Sequence, residues 1–237
     1  EPGEIVLSRV VVPEYIIVHD GTPSDSTARD YYVTYKDYIK NVASSEIYPT
    51  WPETAIAANI IAQISFALNR VFTEYYRSRG YPFDITSSTA IDQKFINGRN
   101  IYENISELAD ELFNTYLRRQ GSVEPLAAKF CNGTTSTCDG LSQWGSQSLA
   151  QSGATTAEIL RNYYGDNIEI VRNVPVEEFS RHIPFPCRFI NDANAAGLAE
   201  FRGQQSPRSV GYLSLSNSVG GSIFTGGSLY GGEHLRA

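Results

Sequence analysis

The 237-residue chain has no methionine, only three cysteines, three histidines and two tryptophans, and fewer basic than acidic residues. Without any methionine, a start residue included, it reads as a fragment, a mature product or an incomplete reading frame, and the lack of a visible leader says little about compartment. Nineteen Lys and Arg against 26 Asp and Glu give a net charge of −7. That balance excludes nucleic acid as a partner, because phosphate binding needs a basic face. No apolar run reaches the ~20 residues of a membrane span. Cys131 and Cys138 bracket a polar Gly/Thr/Ser loop. They read either as a small disulfide in an exported protein or as two free thiols. A zinc site would need further ligands, and His19, His182 and His234 all lie away from that loop in sequence. No metal and no cofactor are expected.

What is present is a globular composition, 41% apolar and 12% aromatic, enough for one large domain or two small ones. The residue that matters most is Glu46, in the run Tyr-Ile-Lys-Asn-Val-Ala-Ser-Ser-Glu-Ile-Tyr-Pro from Tyr38 to Pro49. It precedes a long apolar stretch. Such a carboxylate is either a plain surface charge ahead of a helix or an acid that apolar neighbours keep protonated near neutral pH.

The pattern predicts strands within Val6–Val18, a turn-rich loop over Gly21–Asp30, and a short helix over Lys36–Ser44. Thr50 and Glu53 have capping-box spacing with Pro52 in the first turn. Ile56, Ile60, Ile64, Leu68, Val71 and Tyr75 then recur at helical spacing, with Gly80 as the stop. That helix should be central and buried, with Asn59, Gln63 and Asn69 held in the core. Tyr81–Asn100 reads as loop, and Ser106–Gln120 as a second amphipathic helix ended by Gly121. Helices follow over Ser142–Gln151 and, from a Thr155/Glu158 capping box, to Tyr164, then a strand at Ile168–Val171. Past Asn173–Pro175 the character changes. A strand ending at Asn191, a small-residue helix over Ala193–Phe201 and paired strands at Val210–Ser216 and Gly220–Thr225 are expected. The fold class is α+β, divided into 1–175 and 176–237.

A second motif, Gly-Leu-Ser-Gln-Trp-Gly-Ser-Gln-Ser-Leu-Ala-Gln-Ser-Gly, spans Gly140–Gly153, followed by Glu-Ile-Leu-Arg-Asn-Tyr-Tyr-Gly over Glu158–Gly165. With Tyr38–Glu46 and Trp51–Leu68, it resembles the SpoIID/LytB family of bacterial peptidoglycan lytic transglycosylases, which includes a sporulation enzyme, over about Val11 to Val171. The resemblance implies a mixed helical and β domain around the buried helix, with Glu46 as catalytic acid and base. Tyr48 and Trp51 would be apolar neighbours of Glu46 and contacts for substrate, and Gln143 and Trp144 would meet the sugar through an amide and an indole face. For Trp144 the plainer reading is a core anchor, and for Ser142 a helix cap. Where many relatives carry Lys, Gln and Arg in the apolar helix, this chain has Ala57, Asn59 and Ile64. Where some carry a Cys/His zinc site, it has Cys131 and Cys138 without a histidine.

Phe189–Glu200, with Asp192, and the glycine-rich Ser218–Gly232 resemble the ROK family of sugar kinases and regulators from about Pro184. This implies a small, incomplete α/β segment of ribonuclease H-like type. The resemblance aligns Asp192 with the family's base, but Ser216-Asn217-Ser218 replaces the usual Gly-Thr-Gly and the other kinase motifs are missing. The segment is therefore expected to be inactive alone, part of a fusion or chimera. The first resemblance points to peptidoglycan glycan strands as partner and to the wall side of a bacterial membrane, the second to cytoplasm. Alternatives are a non-catalytic peptidoglycan-binding module, a ROK-type sugar-binding or kinase fragment, and a plain hydrolase using Glu53, Asp84 or Asp92 as second carboxylate.

Overall fold

The computed structural model describes residues 10–176 and the strand residues 209–215, 219–225 and 228–229. The chain divides into two compact units, 1–179 and 180–237. In the first, helices and short sheets mix in an α+β arrangement. Strand β1 (Tyr15–His19) pairs antiparallel with β2 (Asp30–Thr34), Tyr15 opposite Thr34 and His19 opposite Asp30. On its other edge β1 runs parallel to β3 (Ile85–Thr86). Ile16 and Val18 of β1 are fully buried. The two ends of the described part of this unit meet where the Val12 N–H donates to the Pro175 carbonyl at 2.9 Å.

Helix α1 (Tyr35–Glu46) starts at Thr34, whose hydroxyl accepts from the Asp37 N–H. It is longer than the pattern predicts and takes in Glu46 as its final residue. After six intervening residues comes α2 (Glu53–Phe72), in which every residue from Ala55 to Asn69 is buried. The predicted Thr50 capping box does not form: Thr50 lies in a turn closed by the Trp51 N–H on the Tyr48 carbonyl, and Pro52 stands at the cap without a side-chain bond. A cap is worth about 1 kcal/mol. Each fully buried Ile or Leu is worth about 1.5–3 kcal/mol, and α2 supplies Ile56, Ile60, Ile61, Ile64 and Leu68 at 1% exposure or less. Packing therefore outweighs the missing cap. The helix ends at Phe72 rather than Gly80. The Thr73 hydroxyl turns back on the Asn69 carbonyl, and Gly80, at φ +82°, closes only a short 3-10 turn, Arg77–Arg79. Although α2 has the length and hydropathy to cross a membrane, 83% of its most apolar window is buried inside the protein.

The helix predicted over Ser106–Gln120 is two elements. Helix α3 (Glu103–Leu112) stops, and Tyr116–Arg119 forms strand β4, antiparallel to β7 (Ile168–Val171). Tertiary pairing overrides helical spacing here, because the Leu117 N–H is taken by the Ser65 hydroxyl of α2 at 2.8 Å. Strands β5 (Phe130–Cys131) and β6 (Leu141–Ser142) run parallel. Helix α4 (Gln143–Gln151) is capped by Ser142, and α5 (Thr156–Tyr164) by the complete Thr155/Glu158 capping box, both as the sequence predicts. Asn59, Gln63 and Asn69 of α2 are all buried, also as predicted.

In the second unit, β8 (Ser209–Leu215), β9 (Val219–Thr225) and β10 (Ser228–Leu229) form an antiparallel sheet in the order β10-β9-β8. The expected strand and helix between 189 and 201, Asp192, Cys187, and the residues before Val10 lie outside the described residues.

Candidate functional site

Three stretches distant in sequence meet at Glu46. The first is the end of α1 with its connection to α2. The second is the loop 93–96, and the third is the start of α4. As the last residue of α1, Glu46 faces the negative end of a helix dipole, an unfavourable place for a carboxylate. Two donors offset this: the Lys94 backbone N–H reaches Oε1 at 3.0 Å, and Gln143 Nε2 reaches Oε2 at 3.2 Å. The side chain is half-buried, and each of its two oxygens accepts one hydrogen bond from the protein.

The donor from Lys94 is set in place by residues that the sequence pattern does not mark. Gln93 is fully buried. It accepts from the Tyr38 hydroxyl at 2.8 Å and donates to the Gln63 carbonyl of α2 at 3.0 Å. Asn41 of α1 donates to the Ile96 carbonyl at 2.8 Å and accepts from the Ile96 N–H at 2.9 Å. Phe95 between them stacks on Tyr38. The loop is thus laced to α1 at Tyr38, Asn41 and Glu46. Burial holds the Tyr38 phenol well above its ordinary range, the charge of Asp92 adding to this, so it remains a neutral donor to Gln93.

The start of α4 is fixed with equal economy. The Ser142 hydroxyl accepts from the Gly145 N–H at 3.0 Å, and Ser146, fully buried, donates to the Gln143 carbonyl and accepts from Asn59 of α2. A β-carbon on Gly145 would collide with the Tyr163 hydroxyl and crowd the Ser142 side chain, so a larger residue there would have to push both aside. Cys131 and Cys138 are joined in a disulfide. The loop that they close lies against the same helix end, where the Asn132 carbonyl accepts from the Trp144 N–H.

Close in sequence to Glu46 and Gln143, Tyr48, Trp51 and Trp144 form one aromatic group. Tyr48 and Trp51 lie 5.7 Å apart, Tyr48 and Trp144 5.7 Å, and Trp51 and Trp144 5.1 Å. Trp51 is the buried base at 8% exposure, while Tyr48 and Trp144 present 54% and 36% of their surface. Trp144 is therefore a half-open ring at the rim rather than a core anchor. Gln143 differs from the expectation of a sugar contact: at 3% exposure it is buried, and its amide nitrogen is turned onto Glu46.

The other carboxylates that the sequence offers are engaged elsewhere or lie open on the surface. The Asp92 side chain has no exposed surface and is bonded to Arg70, Tyr76 and Thr86. Asp84 accepts from the Ile17 N–H and pairs with Arg77. Glu53 is exposed at the start of α2. His19 is bonded to Asp30 and to the Thr22 carbonyl. Among the described residues, no group of three or more His, Cys, Asp or Glu is gathered as a metal site.

With this geometry in place, comparison with known families gives two matches. Residues 25–116 match the SpoIID model, described as Stage II sporulation protein. Residues 139–236 match the ROK family. No curated protein matches the chain. The SpoIID match marks a sporulation- and cell-wall-related domain and contains Glu46, Tyr48, Trp51, α2 and the loop 93–96. It is shorter than the likeness read from the sequence, which ran to Val171. The Gly140–Gly165 motif falls within the ROK match instead, although α4 and α5 pack on α2 inside the first unit.

Proposed function

We propose that the unit built around Glu46 is a peptidoglycan lytic transglycosylase with Glu46 as its only acid and base. The observation that carries this reading is the setting of Glu46. It is a half-buried carboxyl within the SpoIID match, two residues before Tyr48 of the Tyr48/Trp51/Trp144 aromatic group, held by the Lys94 N–H and by Gln143, with no second carboxylate bonded to it among the described residues. Aromatic faces suit pyranose rings, and a glycan laid on Tyr48 and Trp144 would bring a glycosidic bond towards Glu46. Protonated Glu46 would give its proton to the oxygen linking N-acetylmuramic acid to N-acetylglucosamine, and the C1–O bond would break. The muramic C6 hydroxyl oxygen would then bond to C1 as its proton passes to the Glu46 carboxylate. The products are a free N-acetylglucosamine hydroxyl and a 1,6-anhydro-muramic end. No water enters, so the second carboxylate of an ordinary glycosidase has no task.

The substrate is bacterial wall glycan and the place of action is the outer side of the membrane, where a Cys131–Cys138 disulfide persists. Residues 176–237 are read as a partial ROK-like segment without activity of its own, Asp192 included; ATP turnover with a hexose would contradict that. A second reading, a binding module of the same fold without chemistry, is favoured by one observation: both Glu46 oxygens already accept protein hydrogen bonds. The test is incubation with denuded glycan strands, followed by chromatography of strand length. Wild type should shorten the strands and Glu46→Gln should not, while both bind. Equal shortening by Glu46→Gln would remove Glu46 from the chemistry.

A further inference from the structure

We infer that Gln143 is the positioning residue for Glu46 rather than a contact for the sugar, an inference that rests on the transglycosylase reading. A sugar-binding amide must show its polar end to the ligand. Gln143 is 3% exposed and spends its Nε2 on Glu46 Oε2 at 3.2 Å. Its backbone is equally committed: it opens α4, its carbonyl accepts from Ser146, and Ser146 is tied to Asn59 of α2. The amide therefore reaches Glu46 from a base joined to the core helix, and it fixes one oxygen while Lys94 N–H fixes the other.

The residue type suits an acid that changes state within each turnover. Glu46 must present an O–H in the first step and a bare oxygen in the second. At the oxygen that carries the proton, a fixed donor such as a lysine or a backbone N–H suits only the carboxylate, whereas at the other oxygen it suits both states. A carboxamide has an N–H₂ and a carbonyl oxygen at one end and, by turning about its last bond, donates to the carboxylate or accepts from the acid. Gln143 can thus hold Glu46 through both steps, and the Lys94 N–H keeps the other oxygen in register. No other described side chain is hydrogen-bonded to Glu46.

The experiment combines kinetics with a readout independent of activity. On denuded glycan strands, Gln143→Leu should lower kcat by about 10²-fold, the usual cost of a misplaced reacting group, with KM changed less than about twofold, because the aromatic rim that binds sugar is untouched. Gln143→Asn, one methylene short of Glu46, should not restore the rate. In the ligand-free protein, the Gln143 side-chain amide protons should exchange slowly with solvent and lose that protection in Glu46→Leu. A raised KM at unchanged kcat would make Gln143 a glycan contact and overturn the inference. So would Gln143 amide protons that exchange freely or ignore Glu46→Leu. If wild type cleaves no glycan, the transglycosylase reading fails by itself, and the amide protons still decide whether Gln143 holds Glu46.

Discussion

Replacing Tyr38 by Phe removes one oxygen atom and tests whether the loop 93–96 is held as the geometry indicates. Tyr38 is fully buried, and its hydroxyl donates at 2.8 Å to Gln93 Oε1, itself on a residue with no exposed surface. Phe fills the same ring volume, so the loss is the hydrogen bond and the acceptor left dry. A buried polar group without its partner costs about 1–3 kcal/mol, and in a domain of this size each kcal/mol lowers Tm by about 2–4 °C. The expected drop is therefore about 2–12 °C. Tyr35→Phe is the internal control. That ring is just as buried, but its hydroxyl donates at 3.2 Å to the Ile64 carbonyl, which lies inside α2 and keeps its helical partner. Its loss should stay below about 1 kcal/mol. Calorimetry gives the two Tm values, and hydrogen exchange at the Lys94 amide reports the local effect. The Lys94 N–H should exchange faster in Tyr38→Phe and unchanged in Tyr35→Phe. Equal Tm losses in the two variants, or a Lys94 amide indifferent to Tyr38→Phe, would refute the claim that Gln93 transmits the anchoring of α1 to Glu46.

Four further outcomes are expected. Gln63 is fully buried with both side-chain amide atoms lacking a protein partner, so Gln63→Met should raise stability by about 1–3 kcal/mol in urea denaturation; a loss would mean that internal water satisfies the amide. Asp92→Asn should cost about 3–5 kcal/mol, because it removes the charge opposite the nearly buried Arg70 guanidinium; unchanged stability would show that the pair is not coupled. Thr155→Ala should lose about 1 kcal/mol with the α5 cap. The Thr155 backbone N–H holds Glu158 below its ordinary value, so the capping contribution is complete at neutral pH and fades as pH falls through the folded-state value. Glu158→Gln should accordingly differ from wild type at neutral pH and converge with it in acid.

Much of the frame was legible because its causes are local. The buried period from Ile56 to Leu68, the Ser142 cap and the Thr155/Glu158 box each declare themselves within a few residues. Of the residues that the sequence singles out, Glu46 and Gln143 meet in space, and so do Tyr48, Trp51 and Trp144. What the pattern hid depends on partners far along the chain. Tyr38 and Asn41 each bond to a residue 55 positions away, and a loop without periodicity gives no sign that Gln93 is buried. Strand β4 looked helical from Leu108 to Leu117 because spacing cannot foresee the Ser65 hydroxyl on the Leu117 N–H. Gln143 looked like a sugar ligand because its residue type allows it; only burial shows that its amide is occupied.

The most direct test of the account is mass spectrometry of denuded glycan strands after incubation with wild type and Glu46→Gln. The account predicts 1,6-anhydro-muramic ends from wild type and intact strands from Glu46→Gln. Reducing muramic ends would contradict it, since water would then have taken the place of the C6 hydroxyl and a second base would have to exist. Intact strands from both proteins would contradict it as well and leave a glycan-binding module.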